Sequence, residues 1–414
     1  GWPASTLRTG SPRSQLGLLT HLGGPRVTQV TFDLDAALSR ALALGASDLH
    51  VKVPSRPRAR VNGVLRPLGE FDAITPEDTD ALTARILRSE AKRDQFERRG
   101  SVEVSYFTEA ARFRASVFRQ RGSVAIIFRM ISEAPAPDGL GIPAVVLGWS
   151  RAIQGLVIVG GPTGSGKSTT SAVVMRLINE HRSCHIVTIE DPIEYLHPDI
   201  EALVSQREIG ADASTFHDAL RSALRQDPDV ILIGEVRDEE TAMTALRAAE
   251  TGHLVFCTIH TSGAAESIQR FVELFGERNE HVARELLSAS LVGVVSQRLI
   301  PATDGRLVLN PEVLVATARV QELLRDGAGA NALQETMVEG SYYGMGTFDQ
   351  DLREKVQDGT IDEKTAFAYA MNPQDFKLML QGSLITREAA GEASLSFMHP
   401  EGAEAANPGA PRDS

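Results

Sequence analysis

Gly161-Pro-Thr-Gly-Ser-Gly166-Lys167-Ser168 fits the spacing G-x-x-x-x-G-K-[ST]. Glycines at such spacing let backbone N–H groups turn toward a phosphate, and a helix opening at the lysine presents its positive end to it. The apolar run 156–159 precedes the motif and a helical pattern over 169–178 follows it, so a strand, a loop and a helix are expected in that order. The loop residues Gly161, Pro162, Thr163, Gly164, Ser165, Gly166, Lys167, Ser168 and Thr169 are therefore expected to cradle ATP. Lys167 is placed to reach the β- and γ-phosphates, and the Ser168 hydroxyl to ligate Mg²⁺.

Two acidic segments also end apolar runs. Asp227-Pro-Asp-Val-Ile-Leu-Ile-Gly-Glu235 delivers Glu235 where a metal-bound phosphate would sit, which makes it the expected Mg²⁺ partner through water. Glu190-Asp191-Pro-Ile-Glu194 caps the run 186–189 and puts three carboxylates in five residues. Close carboxylates repel; beside Mg²⁺·ATP one of them can orient the attacking water as general base. The alternative for this segment is an acidic surface loop.

The elements that hold these residues divide the 414-residue chain, which is 42% hydrophobic and 23% charged. Residues 1–30 and 390–414 read as disordered tails. Residues 31–131 read as an α+β domain: a helix over 33–44 stopped by Gly45, strand-like segments at 49–53, 58–65, 102–106, 112–118 and 124–131, and one long helix over 77–99. Pro135, Pro137, Gly139, Gly141 and Pro143 mark 132–143 as a linker. Over 144–315, strand-like runs at 155–159, 185–189, 230–233 and 254–259 alternate with helices, the signature of a parallel α/β sheet covered on both faces. Helical patterns then take over, giving a C-terminal helical extension at 316–389.

Composition excludes several classes. A net charge of −12 disfavours nonspecific phosphate-backbone binding, so no nucleic-acid partner is expected. No run approaches the ~18 apolar residues of a membrane span, and a cytoplasmic location is expected. Cys184 and Cys257 form no C-x-x-C pair, which supports neither a disulfide framework nor a cysteine zinc site; both are expected reduced and buried in strands.

These segments, with Ala249-Glu-Thr-Gly-His253 and Thr258-Ile-His260-Thr261, resemble the Walker A, Asp box, Walker B and His box of the type II/type IV secretion ATPase superfamily. The resemblance extends to Gly45-Ala-Ser-Asp-Leu-His50, to 113–129 and to Leu220-Arg-Ser-Ala-Leu-Arg225, and covers roughly 33–383. It implies a RecA-like P-loop ATPase domain behind a PAS-like N-terminal domain, assembled as a homohexamer. Tyr343-Gly-Met-Gly-Thr-Phe-Asp-Gln-Asp351 and Leu384-Ile-Thr-Arg-Glu388 resemble the C-terminal helices of the twitching-motility (pilus retraction) branch. The lack of a cysteine zinc module sets the chain apart from extension and type II secretion ATPases. The branch's retraction helix, Ala-Ile-Arg-Asn-Leu-Ile-Arg-Glu, stands here as Ala318-Arg-Val-Gln-Glu-Leu-Leu-Arg325.

By position, the resemblance implies Glu194 as catalytic glutamate, Glu235 as Walker B acid, and His253 and His260 as the His-box pair. Seven residues apart on one strand, the two histidines would face opposite ways, so one can sense the γ-phosphate while the other contacts a neighbouring element or subunit. It further implies that arginines among Arg112, Arg114, Arg119, Arg121 and Arg129 reach the nucleotide; Arg112, Arg121 and Arg129 are favoured, and a solvated basic face is the alternative. The implied work is type IV pilus retraction at the cytoplasmic face of the inner membrane, through a platform protein. Pilus extension, type II secretion, DNA uptake or a weakly hydrolysing nucleotide-binding scaffold are the alternatives.

Overall fold

A computed structural model describes residues 32–381. The expected tails and the 384–388 segment lie outside the described residues. Two compact units divide between Met130 and Ile131.

The first unit builds a six-stranded sheet in the order β3-β2-β1-β6-β5-β4, with β1 (Asp48–Lys52), β2 (Arg58–Val61), β3 (Val64–Pro67), β4 (Ser101–Phe107), β5 (Arg112–Gln120) and β6 (Ser123–Ile131). Helix α1 (Leu34–Ala43) is capped by the Asp33 carboxylate on the Ala36 N–H at 3.0 Å and buries Leu34, Ala37, Leu38 and Ala41, one helical stripe. Two expectations need correction. The run 58–65 is a hairpin, because Asn62 and Gly63 both take positive φ (51° and 77°), the geometry of a two-residue turn. The long helix is two helices, α2 (Pro76–Ile86) and α3 (Glu90–Arg99). Leu87 leaves helical geometry at ψ 70° while staying buried, and Ser89 takes extended geometry ahead of α3.

The second unit is a seven-stranded sheet in the order β13-β12-β7-β11-β10-β8-β9. Its strands are β7 (Gly155–Gly160), β8 (His185–Glu190), β9 (Leu203–Glu208), β10 (Val230–Ile233), β11 (Leu254–Ile259), β12 (Leu291–Pro301) and β13 (Leu307–Val315). All neighbours pair parallel except β12 with β13, so the sheet is mixed at one edge. Its helices in the ATPase core are α4 (Ala144–Gly148), α5 (Lys167–His181), α6 (Phe216–Ala223), α7 (Glu239–Glu250), α8 (Ala264–Glu273) and α9 (Gly276–Ser290). Leu156 and Ile158 of β7 face α6 to α9, whereas Val157 and Val159 face α4 and α5. Burial on both faces explains why these strands read as unbroken apolar runs.

Past β13 come α10 (Ala318–Arg325), α11 (Ala330–Glu339), α12 (Phe348–Gln357) and α13 (Glu363–Tyr369). They form the expected C-terminal helical region, and Val320 and Leu324 of α10 and Leu333 and Met337 of α11 join the main core. Leu352, Ile361, Ala366 and Phe376 form a small cluster with Ile300 of β12. At the start of the unit, the backbone of Ser132 and Ala134 bonds Leu196, and the Arg176 guanidinium donates to the Ala134 carbonyl at 2.8 Å. Cys257 is buried in β11 as expected, but Cys184 lies in the bend before β8, half-buried.

Candidate active site

β7 ends at Gly160 and the chain turns at once. Gly161 takes φ 143°, and a Cβ there would stand 2.4 Å from the Gln297 carbonyl, so only glycine passes. Gly166, at φ 89°, leads into α5, whose first turn no side chain caps. With no side-chain cap among the described residues, those N–H groups are available to an external acceptor. Lys167 opens the helix and is buried. Its Nζ donates to the carbonyls of Gly161 at 2.8 Å and Pro162 at 3.0 Å and lies 3.4 Å from His260 Nδ1. Burial pushes its pKa down, while the charges of Glu235 and Glu194 oppose that shift.

Neighbouring parallel strands bring the other groups to the same sheet edge. Glu235 follows β10 through Gly234, where a Cβ would meet the Ile189 carbonyl at 3.0 Å. Its carboxylate bonds Arg237 and lies 3.4 Å from His260 Nε2, just past β11. Because Lys167 can only donate, His260 must accept at Nδ1 and carry its proton on Nε2, toward Glu235. Burial pushes Glu235 up, but the Arg237 hydrogen bond and the positive charge around it hold the pKa below the ordinary range.

The Asp-box acids differ. Glu190 is turned inward, accepting from the Thr188 hydroxyl at 2.7 Å, the Gln206 amide at 3.2 Å and the Glu194 N–H at 3.4 Å; burial raises its pKa against those bonds. Asp191 is exposed, as is Glu194, whose carboxylate has no hydrogen-bond partner among the described residues. Thr163, Gly164, Gly166, Lys167, Ser168, Thr169, Glu190, Asp191, Glu194, Glu235 and His260 all line one cleft of about 630 Å³. Its size suits a nucleotide.

Within the second unit, Ser165 and His253 do not line this cleft. His253 stands before β11, at the far end of the strand from His260, and its Nδ1 lies 3.0 Å from the Ala248 carbonyl at the end of α7. The strand that separates the two histidines is six residues long, roughly 20 Å at ~3.3 Å per residue, so His253 does not reach the same cleft. The arginines belong to the first unit. Arg129 Nε donates to Asp48 at 3.0 Å, Arg112 stacks on Phe107 with its guanidinium carbon 4.8 Å from the ring centroid, and Arg121 occupies the β5–β6 turn at φ 48°. Ser165 is buried within the loop, its hydroxyl without a hydrogen-bond partner among the described residues.

Other lining residues carry no motif signal. Tyr195 OH lies 2.9 Å from Thr169 Oγ1, tying the Asp-box loop to the first turn of α5. His197 is buried beside it with its pKa lowered to about 4 by burial, so it is neutral near pH 7. The position of Tyr195 directly after Glu194 was the one available hint.

The residues present fit a magnesium nucleotide: glycines where a Cβ would obstruct, an uncapped helix start, and a hydroxyl and a carboxylate for the metal. Among the described residues no cluster of three or more metal-ligating side chains occurs, so Mg²⁺ would draw most of its shell from phosphate and water, its usual habit.

A family model described as Type II/IV secretion system protein matches residues 27–340. The "Type IV pilus retractation ATPase PilT" of Pseudomonas aeruginosa is 39% identical over 346 residues, 83% of this chain and 100% of that protein. The "Type IV pilus ATPase PilU" of the same organism is 36% identical, covering 81% and 88% of the two chains. The crystal structure of the pilus retraction motor PilT with bound ADP aligns at TM-score 0.73 and 42% identity, over 83% of this chain and 98% of that one.

Proposed function

As a member of the type II/IV secretion system protein family, this chain is a nucleotide-binding P-loop ATPase, and we propose that it powers type IV pilus retraction by hydrolysing Mg²⁺·ATP. The reading rests on one observation above all: Lys167, Glu194, Glu235 and His260 converge on the cleft at the phosphate loop.

Backbone N–H groups of 163–169 bind the phosphates. Lys167 exchanges the Gly161 and Pro162 carbonyls for β- and γ-phosphate oxygens, which compensate a buried ammonium far better. Glu194 orients the attacking water and takes its proton as oxygen bonds to the γ-phosphorus and the bond to ADP breaks. His260, holding Nε2–H toward Glu235 and Nδ1 toward Lys167, registers whether the γ-phosphate is present. Ser168, and Glu235 through water, would hold Mg²⁺, which would supply positive charge against the transferring phosphoryl group.

Six copies form the working ring, and arginines of the first unit, Arg112, Arg121 and Arg129 among them, stabilise transition-state charge at the nucleotide. Hydrolysis becomes domain motion about the residues near 132–143, passed to a polytopic platform protein at the cytoplasmic face of the inner membrane. Among the described residues no helix is long and apolar enough to cross a membrane, so attachment through that partner is the route proposed.

Phosphate release with Mg²⁺·ATP tests the catalytic assignment: Lys167→Ala and Glu194→Ala should each lose turnover, and unchanged activity in both defeats it. A deletion strain tests the work. Abundant non-retracting pili are expected; loss of pili would indicate extension instead, and normal pili with a secretion defect would indicate transport.

A further inference from the structure

β12 runs parallel to β7 with Ser296 opposite Gly160, so the next residue, Gln297, arrives where β7 stops and the phosphate loop starts. Gln297 is fully buried. Its Nε2 donates to the Ser165 carbonyl, inside the loop, at 2.9 Å. The loop is shaped around it: a Cβ on Gly166 would come 3.1 Å from that nitrogen, and one on Gly161 would come 2.4 Å from the Gln297 carbonyl. A primary amide in a strand interior is costly to bury, and here half of it is uncompensated, because Oε1 has no hydrogen-bond partner among the described residues. Leucine would fill the same volume without that cost. What leucine lacks is the N–H donor, and that donor goes to the phosphate loop.

We propose that Gln297 is a positioning residue of the phosphate loop, a buried strut from the adjacent strand that holds the Ser165 carbonyl away from the cleft and so keeps the following N–H groups aimed at the phosphates. Consecutive peptide groups in such a loop are coupled: fixing the Ser165 carbonyl fixes the plane that carries the Gly166 N–H. Without the strut, the loop samples conformations in which fewer donors converge, and nucleotide pays for their ordering on binding.

The inference rests on the reading that the loop binds the phosphates of ATP, and the test separates the two. A fluorescent ADP analogue with Mg²⁺ is titrated into the full-length wild type, Lys167→Ala, Gln297→Leu and Gln297→Glu proteins. Gln297→Leu should bind about 10- to 100-fold more weakly, the effect of leaving a buried acceptor unpaired. Gln297→Glu gives the decisive readout, since its carboxyl donates when protonated and, once ionised, repels both the Ser165 carbonyl and the phosphates. Its affinity relative to wild type should fall as pH rises from about 5.5 to about 8.5, the range in which a buried glutamate titrates. A ratio that does not change with pH overturns the proposal, as does wild-type binding by Gln297→Leu. Should Gln297→Leu fail to fold, the pH profile of Gln297→Glu decides alone, its low-pH end serving as the folding control. If Lys167→Ala also binds like wild type, the phosphate-site reading itself fails; if only the Gln297 variants do, this inference fails alone.

Discussion

Replacing Glu194 with glutamine isolates proton transfer from every structural role. The side chain is exposed at the cleft rim, and its carboxylate makes no hydrogen bond or ion pair among the described residues; the Glu190 contact comes from the Glu194 backbone N–H, at 3.4 Å, which the substitution preserves. Stability should therefore move by no more than about 0.5 kcal/mol. Its charge is felt by Lys167, where it opposes the effect of burial, so removing it leaves nucleotide affinity the same or slightly tighter. A general base contributes about 10²- to 10⁴-fold, or roughly 3–5 kcal/mol of barrier. Glu194→Gln should then lose that factor in kcat for phosphate release, keep ADP affinity within about 3-fold and melt like wild type. A kcat within about 3-fold of wild type would refute the role. So would a loss of affinity equal to the loss of kcat, because the residue would then be acting in binding.

Two further substitutions test the framework. Arg298 stacks on Phe348, its guanidinium carbon 4.3 Å from the ring centroid, and its Nε donates to Asn310 at 2.7 Å. Arg298→Leu should cost about 1–3 kcal/mol and speed hydrogen exchange in α12 and α13 while sparing β7; uniform acceleration would contradict it. Burial raises the pKa of Glu312 against hydrogen bonds from Ala264, Gln334 and Phe348, so the folded state holds its proton more tightly than the unfolded chain. The carboxyl's contribution is thus fully present below the ordinary value of 4.5 and lost as pH rises through the folded pKa. The stability difference, Glu312→Gln minus wild type, should grow as pH is raised from about 4.5; a difference independent of pH, measured by denaturant unfolding, would refute the assignment.

What could be read without coordinates follows from how local the signal is. The phosphate loop announces itself because glycine, lysine and serine must stand at fixed offsets between a strand and a helix, and eight consecutive residues carry that pattern. Glu235 was readable one step less directly, as an acid ending an apolar run, and His260 only through its resemblance to the family's His box. The Asn62-Gly63 turn carries an equally local hairpin signal, since Ala59-Arg60-Val61 alternates up to it and Val64-Leu65 follows. Gln297 offered nothing comparable: one amide in an eleven-residue strand, whose role depends on β12 pairing with β7 across more than a hundred residues. The antiparallel β12–β13 edge was missed for a related reason, since an edge pairing depends on neighbours in space rather than on a sequence period.

The two histidines show how one strand can separate two roles. β11 lies between β7 and β10, so its C-terminal end must fall between the phosphate loop and Glu235, and His260 bridges them there. Its N-terminal end must equally fall at the opposite edge, where His253 is bonded to the last turn of α7. An added phosphate that draws Lys167 off its carbonyls also withdraws the donor facing His260 Nδ1, so the imidazole must find a new partner or turn. That adjustment acts on the end of a central strand buried on both faces, which cannot deform locally without moving its neighbours. Signalling from this cleft should therefore pass along the sheet edge to Glu235 and Arg237 rather than down β11 to His253.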